Sequence, residues 1–318
     1  MNEKFFENKK AIIILVAAAL VVFVSMGIRQ TWGLFYNFFE TDLGFSRTQF
    51  GLAIAIQMVF WGTLAPVFGF LADRFGPSKV VAFAFLIYIF GVYMLVQEPK
   101  NVFEFQTSLG ILVGIALGGT AMSVPISAVG KFFSNKNRTI ATGLVTASAS
   151  IGFFLLPMFA KFSNDTFGWK LTLEYYIYLL VFGLLCSLFL LKKEYVDETN
   201  NQFTRDQTAP KALQEAFQHK GYKLLTAGFF VCGFQITLVA THMPGYIKET
   251  GLPDWTAAAI LSLIGIFNIF GTLTMGYLSS KYSKKILLSW LYFLRAIALI
   301  LFLLFPSSIY VALGFGVI

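Results

Sequence analysis

Histidine and cysteine are scarce, with two of each in 318 residues: His219, His242, Cys186 and Cys232. A metal centre needs ligands clustered at short spacing, and enzymatic chemistry needs an acid, a base and a nucleophile brought together. Neither pattern is present, so no enzyme, no metal and no cofactor are expected. Both cysteines fall inside apolar runs and read as small packing residues without a disulfide. Charge is scarce too. Asp, Glu, Lys and Arg make up 13% of the chain, against 57% hydrophobic and 17% aromatic residues, which is too little polar surface to cover a water-soluble globule. Most of the acids lie between the apolar runs or at their ends, which leaves no evident carboxylate at mid-membrane depth.

The apolar runs themselves are long enough to cross a hydrocarbon layer of ~30 Å at about 1.5 Å per residue. Nine are expected near 11–37, 48–71, 79–96, 102–128, 139–160, 171–191, 222–247, 255–279 and 286–305. A tenth begins near 309 and covers only ~15 Å to the last residue, so the chain is expected to stop short of a complete fold. The first run is too long for a signal-peptide core and has no small-residue cleavage site, so it reads as a retained span. The fold class is an all-α polytopic membrane protein embedded in the lipid bilayer.

Lys and Arg give the orientation. Seventeen lie in segments on the side of the N-terminus, and five lie on the other: Arg47, Lys100, Lys161, Lys170 and Lys248. The remaining two, Arg29 and Arg295, are inside spans. This bias places the N-terminus in the cytoplasm of a multi-pass plasma-membrane protein. It accounts for the net charge of +8 without a nucleic-acid partner.

The only long polar stretch is 192–220. It divides the chain into a six-helix bundle (1–191), a cytoplasmic linker (192–221) and an incomplete second bundle (222–318). A short amphipathic helix on the inner membrane face is expected over 211–220. Sliding the second half over the first by 207 residues pairs Gly69, Leu71 and Arg74 with Gly276, Leu278 and Lys281, and Gly44 with Gly251. Duplicated bundles are a common carrier plan, with the solute site near the midplane where the halves meet.

The stretch "GFLADRFGPSKV" (69–80) resembles the loop signature of the major facilitator superfamily at Gly69, Leu71, Asp73, Arg74, Gly76 and Lys79. The resemblance runs through the six-span halves and the linker, and implies a two-bundle fold of about twelve spans. Nine full helices and part of a tenth fall within this chain. "RQTWGLFYNFF" from Arg29, "FFSNKNRTIATGLVTASASIG" from Phe132 and "GFQITLVATHMPGYIKETGL" from Gly233 are similar to the monocarboxylate and oxalate/formate transporter-like branch. Such carriers commonly hold the substrate carboxylate with an Arg in the eighth span; here that span has no charge, and Asn268 lies in the corresponding region. Gly143, Gly152 and Pro157 partly match an antiporter signature, but Leu156 stands where that signature has Gly.

An ionisable group at bilayer depth usually faces a cavity or a partner. Arg29 shares one helical face with Trp32, Gly33, Tyr36 and Asn37. That stripe reads either as an anion-attracting cavity wall or as a snorkelling Arg with an aromatic interfacial belt. In the seventh span Gln235, His242 and Tyr246 share a face, and Met243-Pro244-Gly245 should kink the helix. His242 can bind solute, take up a proton or bond across to a neighbouring helix. Arg295 reads equally as a packing or topological residue and as a solute contact. Gly110, Gly114 and Gly118, like Thr146, Ser148 and Ser150, read as close-packing surfaces.

The expected function is a monomeric secondary carrier for a small organic anion, with the proton carried by the solute. Its site is expected from Arg29, Tyr36, Asn37, Gln57, Trp61, Gln235, His242 and Asn268, and the halves alternate access by rocking. Proton-coupled efflux of amphiphiles and a non-transporting sensor on a carrier fold are the alternatives. In the 69–80 loop, Gly69 is expected to permit close helix approach and Asp73 to sit at a helix N-terminus. By resemblance the loop braces the outward-open state, with Asp73 facing the eleventh span. Asp73→Asn is therefore expected to lower the transport rate more than the thermal unfolding temperature, measured side by side on one preparation.

Overall fold

In hydrocarbon every backbone N–H and C=O must find its partner within the segment, so long apolar runs fold as helices. The computed structural model describes residues 9–133, 135–190, 215, 217–305 and 308–317. Its helices are α1 (Lys9–Thr41), α2 (Arg47–Phe75), α3 (Pro77–Val96), α4 (Val102–Gly130), α5 (Asn135–Phe167), α6 (Trp169–Ser187), α7 (Lys220–Glu249), α8 (Trp255–Lys281), α9 (Lys284–Leu304) and α10 (Ile309–Val317). Among the described residues, nine of these are long and apolar enough to cross a membrane. Of the linker helix expected over 211–220, residues 211–214 and 216 lie outside the described residues, while Glu215, Phe217 and Gln218 are helical and exposed.

Local chemistry sets the helix ends. Ser46 caps α2 by accepting from the Gln49 N–H, and the Gln49 side chain accepts from the Ser46 N–H, a reciprocal capping box. Gly76, at φ 95°, ends α2 where Pro77 opens α3. Gly44 and Gly251, paired by the repeat, take φ of 73° and 74° in matching turns, a left-handed conformation that suits glycine.

The fourth span departs from the uninterrupted helix expected. It contains a π-helical turn at Gln106–Leu112 and breaks at Ala121 and Met122. Pro125 has no N–H to offer the Ala121 carbonyl, so the ladder fails there. Two side chains of neighbouring helices satisfy carbonyls near the irregularities: Gln57 Nε2 donates to Leu109 O at 2.9 Å, and Ser25 Oγ donates to Thr120 O at 3.0 Å.

Helices α1–α6 enclose a core built on Trp32, Phe35, Tyr88, Phe105 and Tyr176, each at most 2% exposed. The outward face is apolar: Phe70, Phe83 and Phe230 are 65%, 59% and 74% exposed, as lipid contact requires. α4 lies so close to α2 that a Cβ on Gly114 would sit 2.7 Å from Gln57 O. α8 approaches α5 equally closely, because a Cβ on Gly265 would collide with the backbone of Phe153 and Phe154. α7 leans on α1 through its second half, where Ala240, Met243 and Ile247 are buried, while Leu224, Phe229, Phe230 and Phe234 are exposed.

Gly265→Leu should therefore separate α5 from α8 and destabilise the protein by about 1–3 kcal/mol. The measurement is thermal unfolding in detergent, with Gly271→Leu as a control expected to lose nothing, since a Cβ on Gly271 meets no atom within 4 Å.

Candidate solute site

Arg29 lies ~30 Å along α1 from its first residue and ~18 Å from its last, at 1.5 Å per residue. It is 6% exposed. Its Nη2 donates to Thr237 Oγ1 of α7 at 3.2 Å and to Met58 Sδ of α2 at 3.5 Å. The guanidinium carbon lies 5.4 Å from the centre of the Trp61 ring, a cation–π contact. Among the described residues, Nε and Nη1 make no hydrogen bond and no carboxylate pairs with the group. A buried cation held only by a hydroxyl, a thioether and an indole face is poorly compensated for its lost hydration, and an anion arriving there would correct the deficit. Along the stripe expected on α1, Arg29, Trp32, Gly33 and Tyr36 are buried and Asn37 is half-buried.

The other expected site residues divide into three groups. Gln235, two residues before Thr237, has its buried Oε1 without a hydrogen-bond partner among the described residues. Tyr36 and Asn37 lie toward the far end of α1: Tyr36 packs on Phe50, and Asn37 lines a cleft of ≈ 280 Å³ with Lys161, Asn164, Asp165, Lys248 and Asp254. Gln57, His242 and Asn268 are directed elsewhere. Gln57 is buried in the α2–α4 seam by its bond to Leu109 O. His242 is exposed beside Gly51 of α2. Asn268 Nδ2 donates to Ser150 Oγ at 3.0 Å and ties α8 to α5. Sequence reading missed Met58 and Thr237. A methionine in an apolar span carries no signal, and Thr237 falls off the face that runs through Gln235 and His242.

At the end of the bundle remote from the N-terminus, α1 and α7 close on each other. Pro244 removes the N–H that Ala240 O would otherwise accept, and α7 nonetheless continues as one helix. The freed carbonyl faces Gly33, where any Cβ would collide with it. Beyond this contact Gly245 packs on Tyr36, and Arg47 crosses from the start of α2 to Glu249 at 2.5 Å while lying over the Tyr36 ring.

The 69–80 loop corrects two expectations. A Cβ on Gly69 would meet nothing within 4 Å, so that glycine serves no close approach; the required glycine is Gly76, by its backbone angle. Asp73 lies in the last turn of α2, where the helix dipole disfavours an anion, and Lys131 compensates it at 2.5 Å. Arg74 lies over the Phe75 ring, and Lys79 is exposed in the first turn of α3.

Residues 17–318 match the family described as Major Facilitator Superfamily. The chain is 23% identical over 278 residues to the agnestins efflux protein AgnL12 of Paecilomyces divaricatus, covering 86% of this chain and 61% of that protein. It is 22% identical over 258 residues to monocarboxylate transporter 2 of Homo sapiens, covering 73% and 52%. The chain thus spans about half to three-fifths of the length of these relatives. Among solved structures, a bacterial homologue of the human lysosomal transporter Spinster, in an inward-facing and unoccupied conformation, superposes with a TM-score of 0.76 at 16% identity. That match covers 98% of this chain and 72% of the other.

The Arg47–Glu249 pair is exposed, and such pairs are worth up to ~1 kcal/mol. Glu249→Arg should raise the labelling rate of a cysteine placed at Asn37 about two- to fivefold. Adding Arg47→Glu should return it to the starting rate, as measured with a membrane-impermeant maleimide.

Proposed function

The chain belongs to the Major Facilitator Superfamily, and from that membership we propose that it is a secondary active carrier for a small, monocarboxylate-like organic anion. Family and fold indicate a transporter and not an enzyme. The observation that carries the substrate class is Arg29: a buried guanidinium inside the first apolar span, without a carboxylate partner among the described residues, and touched by both halves of the chain. A carboxylate accepts two parallel N–H bonds from a guanidinium and cancels its charge. The indole face of Trp61 and the thioether of Met58 suit a short apolar body attached to that carboxylate.

Alternating access follows from how the halves touch. Among the described residues, contact between α1 and α7 runs from the Arg29–Thr237 bond to the end that bears Gly33 and Tyr36, while the opposite half of α7 is largely exposed. With the N-terminus in the cytoplasm of the plasma membrane, this arrangement is closed outside and open inside. Proton-linked symport by a monomer completes the reading, the acid itself bringing the proton. A second reading, efflux of larger acidic or amphiphilic compounds, is favoured by relatives named as efflux proteins.

Counterflow of labelled lactate, pyruvate and related acids in proteoliposomes is the test. Uptake by the unaltered protein should fall ~10- to 100-fold in Arg29→Gln, the loss expected for hydrogen bonds to a charged group. Absence of uptake across the acid panel would defeat the monocarboxylate reading. A resistance phenotype on overexpression, together with that absence, would establish the efflux reading in its place.

A further inference from the structure

The guanidinium of Arg29 can be read one nitrogen at a time. A guanidinium offers a carboxylate two bidentate edges, the Nη1/Nη2 end and the Nε/Nη2 side, because the Nε hydrogen points toward Nη2. Both edges include Nη2. That nitrogen already donates to Thr237 Oγ1 at 3.2 Å and to Met58 Sδ at 3.5 Å. Each edge uses one of the two Nη2 hydrogens, so a bidentate carboxylate competes with these acceptors at Nη2.

We propose that Thr237 is a positioning residue that competes with the solute carboxylate for Nη2 of Arg29, so that solute binding breaks a tie between α1 and α7. The proposal rests on the reading of Arg29 as the carboxylate anchor. Thr237 belongs to the second half of the chain, and its hydroxyl is the hydrogen-bond acceptor that α7 presents to Arg29 among the described residues. Met58 belongs to the same half as Arg29, so its displacement would change nothing between the halves. The thioether is the weaker and more distant acceptor, so displacement of Met58 alone, which would leave half-saturation unchanged in a hydroxyl-free variant, is the competing outcome that the experiment below decides. Thr237 Oγ1 also donates to Met58 Sδ at 3.7 Å, so a hydroxyl released by Nη2 keeps a weak bond of its own. An ionised carboxylate outcompetes a neutral hydroxyl for a guanidinium, because it cancels the buried charge and accepts two parallel N–H bonds. Occupancy thus removes a cross-half bond one turn from the Gly33–Ala240 contact, where the halves are closed.

The experiment measures half-saturation and maximal rate of counterflow for labelled lactate, pyruvate and benzoate with the unaltered protein, Thr237→Val, Thr237→Ser and Arg29→Gln. Thr237→Val keeps the shape and removes the hydroxyl. It should lower the half-saturation concentration about five- to tenfold, the equivalent of one hydrogen bond to a charged group, without raising the maximal rate. Thr237→Ser should behave as the unaltered protein. If Thr237→Val does not fold, Thr237→Ala replaces it, with thermal unfolding recorded for every variant. An unchanged or raised half-saturation in the hydroxyl-free variant, with transport lost in Arg29→Gln, would overturn the competition and leave the anchor in place. Full transport by Arg29→Gln, or no transport of any of the three acids by the unaltered protein, would overturn the anchor and the competition with it.

Discussion

Helices inside hydrocarbon gain little from merely meeting, since lipid tails are as apolar as leucine, so they associate only where their surfaces fit closely. Each main seam of this protein answers that constraint with a missing side chain. Gly114 lets α4 onto α2, Gly152 lets α5 onto α1, Gly265 lets α8 onto α5 and Gly33 lets α7 onto α1. The last two seams join the halves of the chain. At each, backbone meets backbone or nearly so, and the side chains beside the contact acquire fixed positions.

Arg29 owes its surroundings to this arrangement. Gly33 lies one turn further along α1, and its contact with the Ala240 carbonyl brings α7 near enough for Thr237 to reach the guanidinium. Pro244 is part of the same device, because it frees the carbonyl that Gly33 receives. The buried charge and the closure between the halves are therefore neighbours on one helix. A change at either is felt at the other through less than two turns of α1.

Much of the fold was legible in residue order. The spans and the repeat linking Gly44 to Gly251 were read from residue order, and the two glycines share a backbone angle within a degree. The site was legible in part. Arg29 and Trp61 stand out as a cation and a large ring inside apolar runs, and they meet. Gln57 and Asn268 looked equally suitable, yet each is held in a helix seam by one hydrogen bond. Polarity shows that a side chain needs a partner; it does not show whether that partner is a solute or the adjacent helix.

The sequence by itself determined what depends on neighbours along the chain: membrane class, the number and approximate bounds of the apolar runs, and a cation in the first span. Tertiary structure decided what depends on helix rotation and contact. It assigned Thr237 and Met58 to Arg29, Lys131 to Asp73, and Glu249 to Arg47. The physical reason is range. Hydropathy and capping act over a few residues, whereas Arg29 and Thr237 are 208 positions apart, and only close packing of α7 on α1 brings them together.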